Sequence, residues 1–367
     1  MKILALALAF ATVAQAEELG ALAGYNNNGG KVELRTDAGQ CIRISAYGGH
    51  MVRVHAVRGG EEFLADDHYE MVDPVNHTAL ARPLTVTDGA SALTLESDSL
   101  KVVVTKSPLR LAFFERASGR QLVGEDKNHA MRWSADETAE SFAPAGPDEH
   151  FFGTGHGTFG RVAKLDLTGE EVSHNYDRQA PLIVPFYLST RGYGVFFNTT
   201  FFTRFSFGKG GAYQFSATAQ GAPGTRPQLD YFVIAGPKFA DILDHYTELT
   251  GRPRLPQESV FGLQLSDKSF PSISTAAWWQ EKILAHKQAG FPFDHQVNDN
   301  RWRQGAGDRC GGHAQLAFDP ERWPDPAGYA AWAAANGVTV TLDYNRCVSE
   351  NSAGWKPAYS FAAADIT

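Results

Sequence analysis

The hydrophobic period changes once along this chain, near residue 236, and that change restricts it to two kinds of domain in succession. Before it, apolar residues alternate with period two, as in Lys31-Val32-Glu33-Leu34-Arg35, Met51-Val52-Arg53-Val54-His55 and Leu93-Thr94-Leu95-Glu96. Gly-Gly pairs at 29–30, 48–49, 59–60 and 210–211 punctuate these runs. Short strands at such spacing, with no helical period between them, predict an antiparallel β-sandwich over residues 17–236. Beyond it, Phe239, Ile242, Leu243, Tyr246 and Leu249 share one face of a helix that Gly251 and Pro253 stop. Residues 237–255 thus read as a connecting helix and linker. Next come an apolar strand at 260–265, a helix bearing Trp278, Trp279, Ile283 and Leu284, and a strand at 293–298. A helix bearing Tyr329 and Trp332 and a strand at 338–342 complete the series. This β-α-β-α-β alternation requires a parallel sheet with right-handed crossovers. The fold class is therefore β + α/β.

Composition narrows the function. The 367 residues carry a net charge of −8 and no basic block, which argues against a nucleic-acid partner. The first sixteen residues read as a cleavable signal peptide: Met1-Lys2, an apolar run from Ile3 to Val13, then Ala14-Gln15-Ala16 before Glu17. The run is too short for a bilayer span of about 20 residues, so the expected product is secreted or periplasmic, with no membrane association after cleavage. Three cysteines in an oxidising compartment allow one disulfide. Cys310 and Cys347 fall in loops on one rim of the α/β part and are the expected pair, while Cys41 lies in an alternating strand and is expected to be buried. A zinc site from Cys310, His313 and Cys347 would lack any C-x-x-C spacing, so no metal and no cofactor are expected.

Gly155-His156-Gly157-Thr158-Phe159-Gly160 matches G-x-G-x-x-G, but it leads into the strand-like residues 162–167 where a nucleotide site needs a helix. It reads as a glycine-rich turn of the sandwich. Asn76-His77-Thr78 and Asn198-Thr199-Thr200 are glycosylation sequons. The chemistry-bearing positions come after the parallel strands, because the carboxyl ends of such strands carry the sites of barrels and open sheets. Asp299, Arg301 and Trp302 come after the second strand; Asp343 and Arg346 after the third. Carboxylates accept hydroxyl protons and an indole face covers C–H groups, so this set suits a polar, ring-shaped ligand. The same aspartates could instead cap helices or pair with Arg301 and Arg346.

At these residues the chain resembles glycoside hydrolase family 31, the retaining α-glycosidases that include α-glucosidases and α-xylosidases. Phe152-Gly153-Thr154-Gly155 resembles the family's aromatic-Gly-x-Gly turn, and His174-Asn175-Tyr176-Asp177 its W-N-x-D segment. Pro185-Phe186-Tyr187-Leu188-Ser189 and Gly192-Tyr193-Gly194-Val195-Phe196 resemble paired strands of its sandwich. Leu229-Asp230-Tyr231-Phe232, Gly236-Pro237 and Tyr246-Thr247-Glu248-Leu249-Thr250-Gly251-Arg252-Pro253 resemble the approach to its barrel. Gly290-Phe291-Pro292-Phe293-Asp294 through Trp302 resembles the second barrel strand. Phe318-Asp319-Pro320-Glu321-Arg322-Trp323-Pro324-Asp325-Pro326 resembles the segment after that strand.

The resemblance implies a galactose mutarotase-like sandwich followed by a TIM (β/α)8 barrel, an oligosaccharide or glycoside substrate, and hydrolysis of α-glycosidic bonds. It gives Asp299 the place of the aspartate that binds sugar hydroxyls in the −1 subsite. Asp177 takes that of a loop aspartate near the +1 subsite, and Asp343 that of a pocket wall. Asp299-Asn300-Arg301-Trp302 and Asn345-Arg346 depart from the usual family text, and the added arginines point toward an unusual or anionic sugar. Family members cleave with two carboxyls, ~5–5.5 Å apart for retention, placed after the fourth and sixth strands. Only three strands are legible over 256–367, whereas a full barrel takes about 250 residues. The expectation is an incomplete barrel with no catalytic residue before Thr367, inactive alone. The alternative is a non-catalytic exported carbohydrate-binding protein.

Overall fold

The computed structural model describes residues 16–144, 146–156, 164–174, 182–209, 211–219, 226–267, 274–299, 302–303 and 317–343. The leader at 1–15, Asp177, Arg301, Cys310, His313, Arg346 and Cys347 lie outside these residues. Contacts divide the chain into two units, 1–252 and 253–367.

Among the described residues of the first unit every paired strand is antiparallel. A nine-stranded sheet runs Phe151–His156, Leu182–Ser189, Tyr193–Phe197, Leu229–Ala235, Met51–Val57, Cys41–Tyr47, Lys31–Thr36 and Leu22–Asn28, with Ala81–Arg82 beside Cys41–Tyr47. A five-stranded meander, Thr85–Asp88 through Gln121–Gly124, and a six-stranded sheet complete the unit. The main core gathers one face of the large sheet, including Val52, Val54, Tyr231 and Val233, with Leu95, Val102 and Phe113 of the meander and Phe205 and Phe215 of the six-stranded sheet. The opposite face buries Met51, Phe186, Phe196, Phe232 and Ile234 under the helix Phe239–Thr250. Met51–Val57 and Leu229–Ala235 lie between these two faces, so every residue in them is buried, the polar Arg53, His55 and Asp230 included.

The helix Phe239–Thr250 packs onto this sheet through Ile242 and Leu249, with Tyr246 stacked 4.2 Å from Phe186; Leu243, expected on the same face, is exposed. The approach is close because of glycine: a Cβ on Gly194 would stand 2.8 Å from the Phe186 ring and 2.9 Å from Ile242. Gly251 ends the helix with φ +96°, a left-handed backbone that glycine adopts without steric cost. The segment after it is exposed, Leu255 at 92%. Limited trypsin digestion should therefore cut first after Arg254, since the bond after Arg252 leads into Pro253 and resists trypsin; a first cut inside the sandwich would contradict this packing.

Two local expectations need correction. Gly155 lies within the strand Phe151–His156, the rest of the glycine-rich segment, 157–160, lies outside the described residues, and residues 164–167 form no strand. The local text breaks the ladder instead, with a register shift between Gly153 and Gly155 and Thr154 at φ +62°. Gly153 is needed there because a Cβ would sit 2.7 Å from the Phe186 carbonyl oxygen. Cys41 is half-buried, as the first residue of its strand. Asn198, in the second sequon, is 2% exposed and donates to Asp230 at 2.7 Å.

The second unit contains the parallel sheet Gln264–Ser266, His295–Asn298 and Thr339–Leu342, in that order. The helices Ala276–Gln288 and Pro326–Ala335 lie between the strands in sequence. Thr275 caps the first, accepting from Trp278 N–H, and Asp325 caps the second. Trp279, Ile283, Phe293, Trp323, Tyr329 and Val338 form the core. The first strand starts later than the apolar run suggests. Residues Glu258–Phe261 make a 3-10 turn, Phe261 is 74% exposed, and the Asp294 carboxylate accepts the Leu263 N–H at 3.2 Å.

Candidate active site

The parallel register defines the site. Ser266 pairs with Val297 and Val297 with Thr341; the second and third strands then run one step further, Asn298 opposite Leu342. The next residue on each strand is an aspartate: Asp267, Asp299 and Asp343. Three carboxylates thus stand at the carboxyl ends of three adjacent strands, which are spaced about 4.8 Å apart in such sheets. Asp299 and Asp343 are neighbours, and the Asp343 N–H still donates to the Asn298 carbonyl at 2.8 Å.

Asp267 was not among the expected residues. It is 1% exposed; one oxygen accepts the backbone N–H of Asp299 at 2.7 Å and the other accepts the Ser274 hydroxyl. Burial pushes its pKa up against these hydrogen bonds, and the neighbouring Asp299 charge adds to the rise. The signal that could have found it is the rule applied to the other two strands. Placing the first strand at 260–265 ended it before Ser266 and left Asp267 in a loop.

Trp302 is only 6% exposed, with its indole N–H donated to the Asp343 carbonyl at 2.8 Å. Its ring lies 5.0 Å from Phe318, and the Arg303 guanidinium 5.9 Å away. In this position it ties the second loop to the third strand and leaves little ring face for a ligand. Beneath the rim, Gln296 is fully buried, donating to Asn298 at 2.6 Å and accepting from the Tyr329 hydroxyl. The structure thus brings together Asp299, Trp302 and Asp343.

A groove of about 420 Å³ lies elsewhere, on the outer face of the six-stranded sheet, lined by Arg132, Glu137, Glu171, Arg204, Lys209 and Gln214 among others. Its charged groups largely serve one another: Lys209 pairs with Glu171 at 2.8 Å and Arg132 donates to Ser141 at 3.2 Å. Among the described residues of its wall the one aromatic, Trp133, is 1% exposed and offers no face to a sugar. The strand rim is the better candidate, since it gathers acceptors that can order hydroxyl groups. Among the described residues no cluster of histidine, cysteine or carboxylate side chains could hold a metal ion, and no helix is long and apolar enough to cross a membrane.

Comparison with known proteins agrees with this architecture. A model for the glycosyl hydrolase 31 N-terminal galactose mutarotase-like domain matches residues 41–205. An α-xylosidase of Lactiplantibacillus pentosus is 30% identical over 274 residues, 72% of this chain and 34% of that protein. The chain belongs to glycoside hydrolase family 31, of which it carries the N-terminal part. An isomaltosyltransferase of Sporosarcina globispora is 28% identical over 307 residues, 76% of this chain and 28% of that one. Among solved structures, a family 31 dextranase of Flavobacterium johnsoniae complexed with glucose aligns with a TM-score of 0.73 at 21% identity. The alignment covers 89% of this chain and 38% of the dextranase. A family 31 α-xylosidase from a soil metagenome, complexed with xylose, gives 0.71 at 21%, covering 87% and 47%. At such identity these structures speak for the fold. The chain spans about a third of the length of the curated family 31 relatives it matches.

Proposed function

We propose that this chain supplies the sandwich and the first three β/α units of a TIM-type barrel to a retaining α-glycosidase, and that Asp299 and Asp343 bind sugar hydroxyls at the rim. The observation that carries the reading is their adjacency, one residue past the paired Asn298 and Leu342 at the carboxyl ends of parallel strands. Sugar hydroxyls donate to paired carboxylates, and such charge-assisted bonds are worth about 1.5–3 kcal/mol each. Relatives described as an α-xylosidase, an α-glucosidase and an isomaltosyltransferase support a glycoside as substrate class. The sequence at 1–16 supports export, and a mature product beginning at Glu17 would bear that out.

The test is saccharide binding by the full chain. Glucose, xylose and isomaltotriose are titrated while amide resonances are followed. Shifts at the amides of Asp299 and Asp343 are expected with the preferred sugar, and Asp299→Ala should weaken binding by about 1.5–3 kcal/mol with the fold intact. Unchanged binding in that variant would make Asp299 a structural carboxylate.

A further inference from the structure

We propose that Asp267 is a positioning residue that aims Asp299 at the sugar; this rests on the reading that Asp299 binds hydroxyls. The strand Gln264–Ser266 stops pairing at Ser266, one step before its neighbours do. Where the ladder would continue, the Asp267 carboxylate takes over and accepts the Asp299 N–H at 2.7 Å. A side chain thus replaces a ladder carbonyl beside the residue that faces the ligand. The strut is itself anchored. Its other oxygen accepts from Ser274, which is 1% exposed; the Ser274 hydroxyl oxygen accepts the Trp279 indole N–H at 3.2 Å, and Trp279 is fully buried in the core. Arg322 holds the Ser274 carbonyl at 3.3 Å. The chain Trp279–Ser274–Asp267–Asp299 connects the packed core to the rim through hydrogen bonds alone. Burying a carboxylate is unfavourable, and a leucine would fill the same space without that cost. What the carboxylate adds is direction: two acceptors in fixed geometry, which set the backbone of Asp299 before any ligand arrives.

Asp267→Ala and Asp267→Asn in the full chain test this, with Asp299→Ala as reference and glucose, xylose and isomaltotriose as probes. In Asp267→Ala the Asp299 amide resonance should move and its hydrogen exchange accelerate, and sugar binding should weaken by about tenfold. The amide of Thr341 in the third strand should stay in place. Asp267→Asn keeps an oxygen acceptor for the Asp299 N–H, so it should restore the Asp299 amide and bind within about threefold of the parent. Asp267→Asn also serves if the alanine variant fails to fold, because a role resting on the charge itself would cost it binding as well. If Asp299→Ala abolishes binding while Asp267→Ala binds normally, the positioning role is wrong and the sugar site stands. If Asp299→Ala binds like the parent, or the parent binds none of the probes, the sugar-site reading fails and takes the positioning role with it.

Discussion

Replacing Asp230 by alanine should destabilise the sandwich unit by about 3–5 kcal/mol, the usual consequence of orphaning a buried charge. Asp230 is 3% exposed and receives two parallel hydrogen bonds from the Arg53 guanidinium, both at 2.8 Å, and a third from Asn198 at 2.7 Å. Arg53 is equally buried and also meets Asp66 at 2.6 Å. Burial alone would push the Asp230 carboxyl up, but Arg53, His55 and Asn198 outweigh it and hold the pKa below its ordinary 3.8. Its contribution is therefore present above pH ~4 and lost as acid protonates the folded carboxylate. Urea unfolding of Asp230→Ala, Arg53→Met and the double variant would give the coupling energy. The double variant should be less damaged than the sum of the singles, since it removes both charges together. A loss below about 1 kcal/mol in Asp230→Ala would place the pair among weak surface-type bridges.

The second large effect has the opposite pH sign. Glu125 and Glu140 are buried side by side in the sandwich, 8% and 0% exposed. Glu125 accepts the Leu111 N–H and Glu140 the Ser141 N–H, each at 2.7 Å. Their remaining oxygens, Glu125 Oε1 and Glu140 Oε2, have no well-directed hydrogen bond among the described residues. Burial pushes Glu125 up to about 7, and burial with the neighbouring Glu125 charge pushes Glu140 well above its ordinary 4.5. The folded state therefore holds protons that the unfolded chain releases. Stability is full below pH ~4.5, falls as pH rises toward 7, and continues to fall while Glu140 keeps its proton. At about 1.4 kcal/mol per pH unit, the pair together accounts for a loss of a few kcal/mol across this range. Together with Asp230, this puts maximal stability at mildly acidic pH. The Glu125→Gln/Glu140→Gln variant should melt higher than the parent at pH 8 and lose the slope between pH 5 and 8. A parent whose melting temperature rises across that range would refute the assignment.

Much of the fold was legible because it rests on local periodicity. The strand from Lys31 and the helix from Phe239 came directly from the spacing of apolar residues, and so did the parallel order of the second unit. One boundary shifted for a local reason. At 260–265 an apolar run bends into a 3-10 turn before Gly262, since Phe261 finds no core to enter and Asp294 captures the Leu263 N–H. That shift of the first strand is also what hid Asp267.

The sequence alone determined the β + α/β class, the order of strands and helices, and the aspartates that end the second and third parallel strands. Each of these depends on residues a few positions apart, whose mutual geometry the backbone repeat dictates. Only the tertiary structure decided that Trp302 is packed inward, that Asn198 is hidden, that Arg53 and Asp230 meet across 177 residues, and that Asp267 spends its carboxylate on Asp299. Those outcomes depend on which distant side chains share a dry interior, where an unpaired polar group is costly and a paired one is fixed in direction.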